Sequence, residues 1–501
     1  MIKNKHSIQK VFLDIDTPTM AMANSIKNNL AVFIQNELVP ILEKQFNLIE
    51  NTDHQIIQIE KLEISIHSNA GKTDIFLSNT EQKNDIKNQI EAAIQKTLIE
   101  QKNGAKKGEN NLALRTISSH EKEIKTLLYF IENGTMPWWI SKEDEVMFFE
   151  KISFENFKKD LFKIPFLKLI QQKTIQKRII NQFSNQEIAL ITSALLDSEI
   201  QQKSFSKNIL LQFLNNKPHE FKMSFWQLLF DFLTEKKPVS IISFYYKEQP
   251  QLSSDKISLK HFIENIKTLV PLDFTYKELI QMKTEYLVSE KEKPIVQSNS
   301  DSKKEVNTTK SEISSMEEKL IIKEKSIFED NSQDDSISFK SCYVQNAGLI
   351  ILHPFFKEML KNCDLMDGNI ILNKQLAAHI IHYAATKKEN DYEHAMLFEK
   401  FLCGIPIQQS LQREVKIEEK HKQQVEEMLA SVVEHWSALK NTSTDILRTE
   451  FIQREGKLDL SESNPKLNIE RKTQDLLLEK IPWNINIIKI PWIEKLIYTQ
   501  W

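Results

Sequence analysis

Two periodicities alternate along the opening of the chain. Val11, Leu13 and Ile15 recur at every second position, the spacing of a half-buried strand. Thr17 follows as an N-cap and Pro18 as a first-turn proline, and Ile26, Leu30, Phe33, Leu38 and Ile41 then recur at helical spacing. Pro40 has no amide to give that helix, which predicts a break there. Ile57 and Ile59 alternate again, whereas Leu62, Ile64 and Ile66 alternate in the opposite phase, so a bulge near Glu60 or Lys61 is expected to absorb the extra residue. Ile86, Ile90, Ile94 and Leu98 form a second helical stripe before the polar stretch from Gln101 to Asn110. Residues 1–110 therefore read as a small α+β domain.

From Ser118 the pattern turns helical. Ser118 and Glu121 have capping-box spacing, Ile124, Leu127, Leu128 and Ile131 supply an apolar face, and Gly134 stands where the helix would end. Apolar helical stretches then alternate with short polar breaks, among them Lys158 to Ile170, Thr174 to Phe183, Gln186 to Leu195 and Met223 to Thr234. Residues 111–287 read as a helical domain. Between 288 and 338 the chain becomes rich in Ser, Lys, Glu, Asp and Asn, a composition that buries too little surface to stay folded, and it reads as a flexible linker. As a random coil it would span roughly 40 Å, and drawn straight roughly 170 Å. Within it, Met316 to Ile327 carries Leu320, Ile321, Ile322 and Ile327, a transient helix or a segment that folds on a partner.

Beyond the linker, residues 339–501 read as a second α+β domain. Tyr343 to Leu352 is strongly apolar, and helices are expected at Phe355 to Lys361, Lys374 to Ala385, Glu393 to Phe401 and Glu418 to Leu439. Leu458 to Leu460 and Leu467 to Glu470 flank a proline-bearing loop and read as a hairpin, followed by a short helix from Thr473 to Lys480. Ile485 to Trp501 is apolar enough to need a buried place, and Trp483, Trp492 and Trp501 point to an aromatic-rich core. The fold class is thus α+β, predominantly α-helical and multi-domain, with small α+β units at both ends and a helical middle.

Composition narrows the function classes. A length of 501 residues predicts two to four folded units, and 41% hydrophobic with 27% charged residues is the balance of a chain that builds cores. The net charge of -3 offers no broad field for a polyphosphate backbone, so nucleic acid is not an expected partner, and local runs such as Lys106-Lys107 and Lys387-Lys388 read as solvated. Eight glycines leave little material for a glycine-rich nucleotide cradle. Three cysteines, Cys342, Cys363 and Cys403, lack zinc or redox spacing and fit a reduced compartment. No signal-peptide core follows the polar start, and no apolar run reaches membrane-spanning length, so neither export nor a membrane is expected.

Candidate chemistry is sparse. His379 and His382 stand three apart on a predicted helix, a spacing that can place two rings on one metal, but with no HExxH-type carboxylate they read as ordinary helix histidines. Cys403 could pair with His394 or His435 as nucleophile and base, against the commoner reading of a buried cysteine. Acidic clusters at Glu143-Asp144-Glu145 and Glu426-Glu427 read as solvated helix faces, and no GxSxG occurs. No catalytic, metal or cofactor site is expected. The candidate interface residues are Trp138, Trp139, Trp483, Trp492 and Trp501, since tryptophan anchors both cores and interfaces.

Several segments together resemble one family. Leu127 to Trp139, LLYFIENGTMPWW, resembles the LLxFLxxGxLPWW signature of contractile injection system tape measure proteins. The likeness resumes at Tyr343 to Phe355 and runs through Lys400 to Pro406, Glu434 to Ser443 and Phe451 to Leu458. It closes on Pro482-Trp483, Ile487 to Trp492 and Tyr498 to Trp501, and the opening unit with Ile59 to Ile64 is similar too. The resemblance implies a non-enzymatic, cytoplasmically made assembly protein of a phage-tail-like particle, one that sets tube length. Its implied partners are inner-tube, baseplate hub or spike and terminator subunits, with self-association among the options. An assembly scaffold or cargo-loading factor of the same particle is the alternative. A ruler is simplest as one helix, which here would reach about 750 Å at 1.5 Å per residue, whereas a compact domain of about 160 residues has a radius of gyration near 15 Å.

Overall fold

The computed structural model describes residues 6–9, 11–13, 15, 19–48, 55–59, 62–65, 87–99, 114–152, 157, 160–195, 208–235, 238–254, 257–270, 278, 281, 341–440 and 442–501. The chain is predominantly helical with a few small sheets. It forms two compact units: Met1–Glu235 with Lys260–Pro271, and Lys236–Leu259 with Leu272–Trp501. Thr17, Pro18, Glu60, Lys61, Ile66, the stretch 101–110 and the linker 288–338 with its apolar segment lie outside the described residues.

In unit 1, helix α1 (Met20–Phe33) runs into α2 (Val39–Asn47) through a π-helical turn, Ile34–Leu38. Pro40 explains the turn: it has no amide to donate, and the ladder shifts to the wider spacing one residue before it, with the Val39 amide bonding the Ile34 carbonyl. The predicted break is thus a π-turn within a continuing helix. α2 packs with α3 (87–99) around Leu38, Ile41, Ile90, Ile94 and Leu98. Strand β1 (Gln55–Ile59) pairs antiparallel with β2 (Leu114–Ser118).

The strand expected at Val11, Leu13 and Ile15 does not form. Residues 11–13 and 15 lie in no strand and these side chains are exposed, because the period-two pattern has found no ladder to join. Leu62 and Ile64 keep their alternation, half-buried against the small core while Glu63 and Ser65 face water, but pair with no strand.

The helical train opens at α4 (Ser119–Asn133), and its boundaries follow from local chemistry. The Ser118 hydroxyl accepts the Glu121 amide at 3.1 Å, and Gly134 closes the helix at φ 72°, a conformation glycine adopts without a Cβ penalty. Helices α5 (Lys142–Lys151), α6 (Asp160–Leu169), α7 (Lys173–Gln182), α8 (Asn185–Ser193), α9 (Ile209–Asn215) and α10 (His219–Glu235) follow. Stacked phenylalanines run along α6 from the residues before it: Phe157, Phe162 and Phe166 lie at centroid spacings of 4.7 and 4.9 Å, all fully buried. Arg178, 3% exposed, donates to the Ile131 and Glu132 carbonyls at the end of α4, where a cation meets the negative pole of the helix. α11 (Pro238–Lys247) and α12 (Gln249–Ser254) belong to unit 2, and α13 (Leu259–Leu269) lies almost wholly in unit 1.

The C-terminal part of unit 2 is built on a five-stranded sheet of order β3-β6-β7-β9-β8. Its strands are β3 (Ser341–Val344), β6 (Gly456–Asp459), β7 (Lys466–Ile469), β8 (Ile487–Ile488) and β9 (Ile497–Gln500). All neighbours are antiparallel except β7 and β9. The hairpin expected around 458–470 is β6–β7, with Pro465 in its loop, where a missing amide costs no ladder bond. A second ribbon pairs β4 (Met366–Asp367) with β5 (Ile370–Ile371). Against the sheet lie a fully buried 3₁₀ segment Ala347–Leu352 and helices α14 (Phe356–Asn362), α15 (Lys374–Thr386), α16 (Leu397–Leu402) and α17 (Glu419–His435). The short α18 (Thr444–Leu447) runs into a π-turn, Arg448–Ile452.

Candidate functional site

Unit 2 buries an unusual number of charged side chains, and they converge. On α15, His382 is 1% exposed and its Nδ1 lies 2.8 Å from Glu399 Oε1 of α16, which is also buried. The Asn346 amide donates to the same oxygen at 2.7 Å, tying the loop after β3 to α16. His382 Nε2 faces Asp391 Oδ2 at 3.5 Å, and Lys388 reaches that oxygen at 2.9 Å. Beside this chain, Lys400 and Glu393 form an ion pair at 3.3 Å with neither side chain exposed. The Lys400 ammonium also donates to the Ile407 carbonyl at 2.7 Å, and Glu393 accepts the Leu411 amide at 3.2 Å.

Two buried arginines fasten the other end of the core. Arg448 donates to the Ala384 carbonyl at 3.0 Å and pairs with Asp445 and Glu426. Arg454, fully buried, donates to Asp475 at 2.8 Å and to the Glu470 carbonyl at 3.1 Å. Unpaired, such charges would cost several kcal/mol each; paired and hydrogen-bonded, they hold one arrangement of segments.

These contacts set the proton states. Burial alone would lower the His382 pKa, but the hydrogen bonds and charges of Asp391 and Glu399 outweigh it and raise it to about 9. Burial would raise Asp391, and His382 with Lys388 overrides that, holding it far below the usual carboxylate range. His394 is driven the other way, lowered to about 4 by burial, against which Asp391 acts only in part. The consequences for stability have opposite signs. His382, raised from 6.5, contributes stability that is complete below pH 6.5 and is lost as pH rises through 9. His394, lowered from 6.5, refuses a proton that the unfolded chain accepts, so stability falls as pH drops from 6.5 towards 4. At about 1.4 kcal/mol per pH unit, each slope removes about 3 kcal/mol. Denaturant unfolding followed by fluorescence of the buried Trp436 is expected to peak near pH 6.5, with His382→Gln flattening the alkaline side and His394→Gln the acid side. A level profile between pH 5 and 9 would contradict both assignments.

The residues singled out in the sequence fall as follows. His379 and His382 do not share a ligand position: the His379 ring nitrogens face the Glu389 and Gln412 carbonyls at 3.2 and 2.7 Å, while His382 faces carboxylates. Cys403 is buried with its thiol pushed up by burial, and no hydrogen bond reaches its sulfur among the described residues. His394 stacks on Tyr392, and the exposed His435 bonds the Ser431 carbonyl. Among the described residues no group of three His, Cys, Asp or Glu is placed to hold a metal, and no helix is long and apolar enough to cross a membrane.

The tryptophans differ in place. Trp138, just after Gly134, is exposed, and Trp139 beside it donates to Thr126 Oγ1 at 3.0 Å. Trp483 and Trp492 are half-buried, their indoles donating to the Ile351 and Leu402 carbonyls at 2.9 and 2.7 Å. Trp501 packs on the same core. Asn346, Asp391, Glu393, Glu399, Lys400, Arg448 and Arg454 were missed by sequence reasoning. A signal existed for some: Asn346, Lys400 and Arg454 sit inside the signature stretches, and Lys400 heads a mostly apolar one.

The C-terminal signature segments, from Tyr343 onward, therefore meet in one core. Gly348 lies against the Phe451 backbone, Gly456 against Ala347 and Asn468, and Lys400 and Arg454 supply its buried cations. The class this defines is an α+β protein whose shared residues fasten the fold. A family described as contractile injection system tape measure protein matches residues 5–501, and the chain belongs to that family. It is thus a structural component of a contractile injection particle. No curated protein and no solved structure matches the chain.

Proposed function

We propose that this chain is a non-enzymatic assembly protein that sets the length of the inner tube and sheath as the particle polymerises. The family match across residues 5–501 carries this reading. The longest uninterrupted α-helices among the described residues have 17 residues, about 25 Å, and even the helix that continues through its π-turn from Met20 to Asn47 reaches only about 42 Å, far short of the roughly 750 Å of an all-helical chain. The reading instead gives the measuring role to the polar stretch 288–338, with a contour of roughly 170 Å. Trp138 is the first candidate for contact with tube, baseplate hub or terminator subunits, followed by Trp139, Trp483, Trp492 and Trp501. Insertions and deletions within 288–338, made in a strain that assembles the particle, are expected to lengthen and shorten particles in step under electron microscopy. Unchanged lengths would refute a linear ruler. The compact, charge-fastened core of unit 2 favours a second reading, an assembly scaffold or cargo-loading factor near the baseplate. Deleting the chain would then leave few particles, or empty ones, at normal length.

A further inference from the structure

Residues 403–418 connect α16 to α17 without helix or strand, yet Ile405, Ile407, Leu411 and Ile417 along them are buried. Side chains from neighbouring elements reach in to tie this backbone down. Lys374 donates to the Gly404 carbonyl at 3.0 Å, Lys400 to the Ile407 carbonyl at 2.7 Å, and Glu393 accepts the Leu411 amide at 3.2 Å. Gln375 accepts the Gln412 amide at 3.0 Å, and His379 Nε2 lies 2.7 Å from the Gln412 carbonyl. Arg413 closes the row, its guanidinium 4.1 Å from the Tyr392 ring centroid.

A sheet or helix opens only when its own backbone ladder breaks, whereas a segment held by side-chain ties can open without unpairing the elements beside it. When the segment leaves, Glu393 and Lys400 retain each other, and Lys374 at the start of α15 is exposed already. The buried isoleucines and Leu411 favour the closed state, while the conformational freedom of a dozen irregular residues favours the open one.

We propose that residues 406–417 form a releasable strap across α15, opening as a unit while the rest of unit 2 stays folded and uncovering Ile407 and Leu411. The Lys400–Glu393 pair and the α15 side chains act as its latch. Hydrogen exchange of the full chain, read by mass spectrometry, tests this directly. Peptides within 406–417 are expected to exchange at least about tenfold faster than those of α15 and α17, as a sub-global opening requires. The variant Lys374→Ala/Gln375→Ala removes two ties at the rim, and should speed strap exchange about tenfold further while leaving the β6–β7 hairpin unchanged. Strap peptides as slow as the flanking helices would overturn the proposal. So would a variant that accelerates every peptide of unit 2 in parallel.

Discussion

Replacing Gly348 with alanine is expected to unfold unit 2, a loss of about 4 kcal/mol or more, at the upper end of single substitutions. A Cβ there would fall onto the Phe451 carbonyl oxygen and within 2.8 Å of the Ile452 Cα. Both are backbone atoms of the π-turn that leads to Arg454 and β6, so no side chain can swing aside. The 3₁₀ segment would have to separate from the turn, opening a core in which Leu349, Ile350, Ile351 and Leu352 are fully buried. Gly368 is the control: it has φ 59° and nothing within 4 Å, so Gly368→Ala meets only left-handed backbone strain of about 1–2 kcal/mol. Denaturant midpoints of the two variants against the parent check the contrast, and equal losses would show that close backbone approach is not what Gly348 provides.

Lys400→Met is expected to cost about 3–5 kcal/mol, because it strands the Glu393 carboxylate in a site with no exposure to water. Methionine matches the length of the stem but cannot bond the Ile407 carbonyl. Glu393→Gln in the same background removes the stranded charge and still offers an oxygen to the Leu411 amide. The double variant should therefore be no less stable than Lys400→Met alone, and the cycle should give a coupling of about 2 kcal/mol or more. Small, additive losses in equilibrium unfolding would mean that the pair is solvated, contrary to its geometry.

Much of the fold could be read locally. Ser118 and Gly134 mark both ends of α4 because a cap hydroxyl and a left-handed glycine act within one helical turn. Pro465 marks the hairpin loop for a similar reason. Pro40 was legible as a disturbance but not as a π-turn, since a missing amide can be met either by ending the helix or by widening one turn of it. Val11, Leu13 and Ile15 show the limit: a period of two states readiness to pair, and pairing needs a neighbouring strand.

The buried centre was the least legible part. Lysine and glutamate read as solvated in a local window, and although Lys400 stands at the head of an apolar stretch, nothing near Glu393 announces that the two lie inside as a pair. His382 read as an ordinary helix histidine, whereas its environment is set by the buried Glu399 and by Asp391 from other segments.

By itself the sequence determined the helix-rich class, the boundaries that caps and prolines impose, and the signature segments that place the chain in its family. Only the tertiary structure decided that the C-terminal signature segments share one core, that β7 and β9 lie parallel, and which charges are buried together. The division has a physical cause: caps and periodicity act over a few residues, whereas ladder pairing, desolvation and ion pairing depend on groups brought close only when the chain folds.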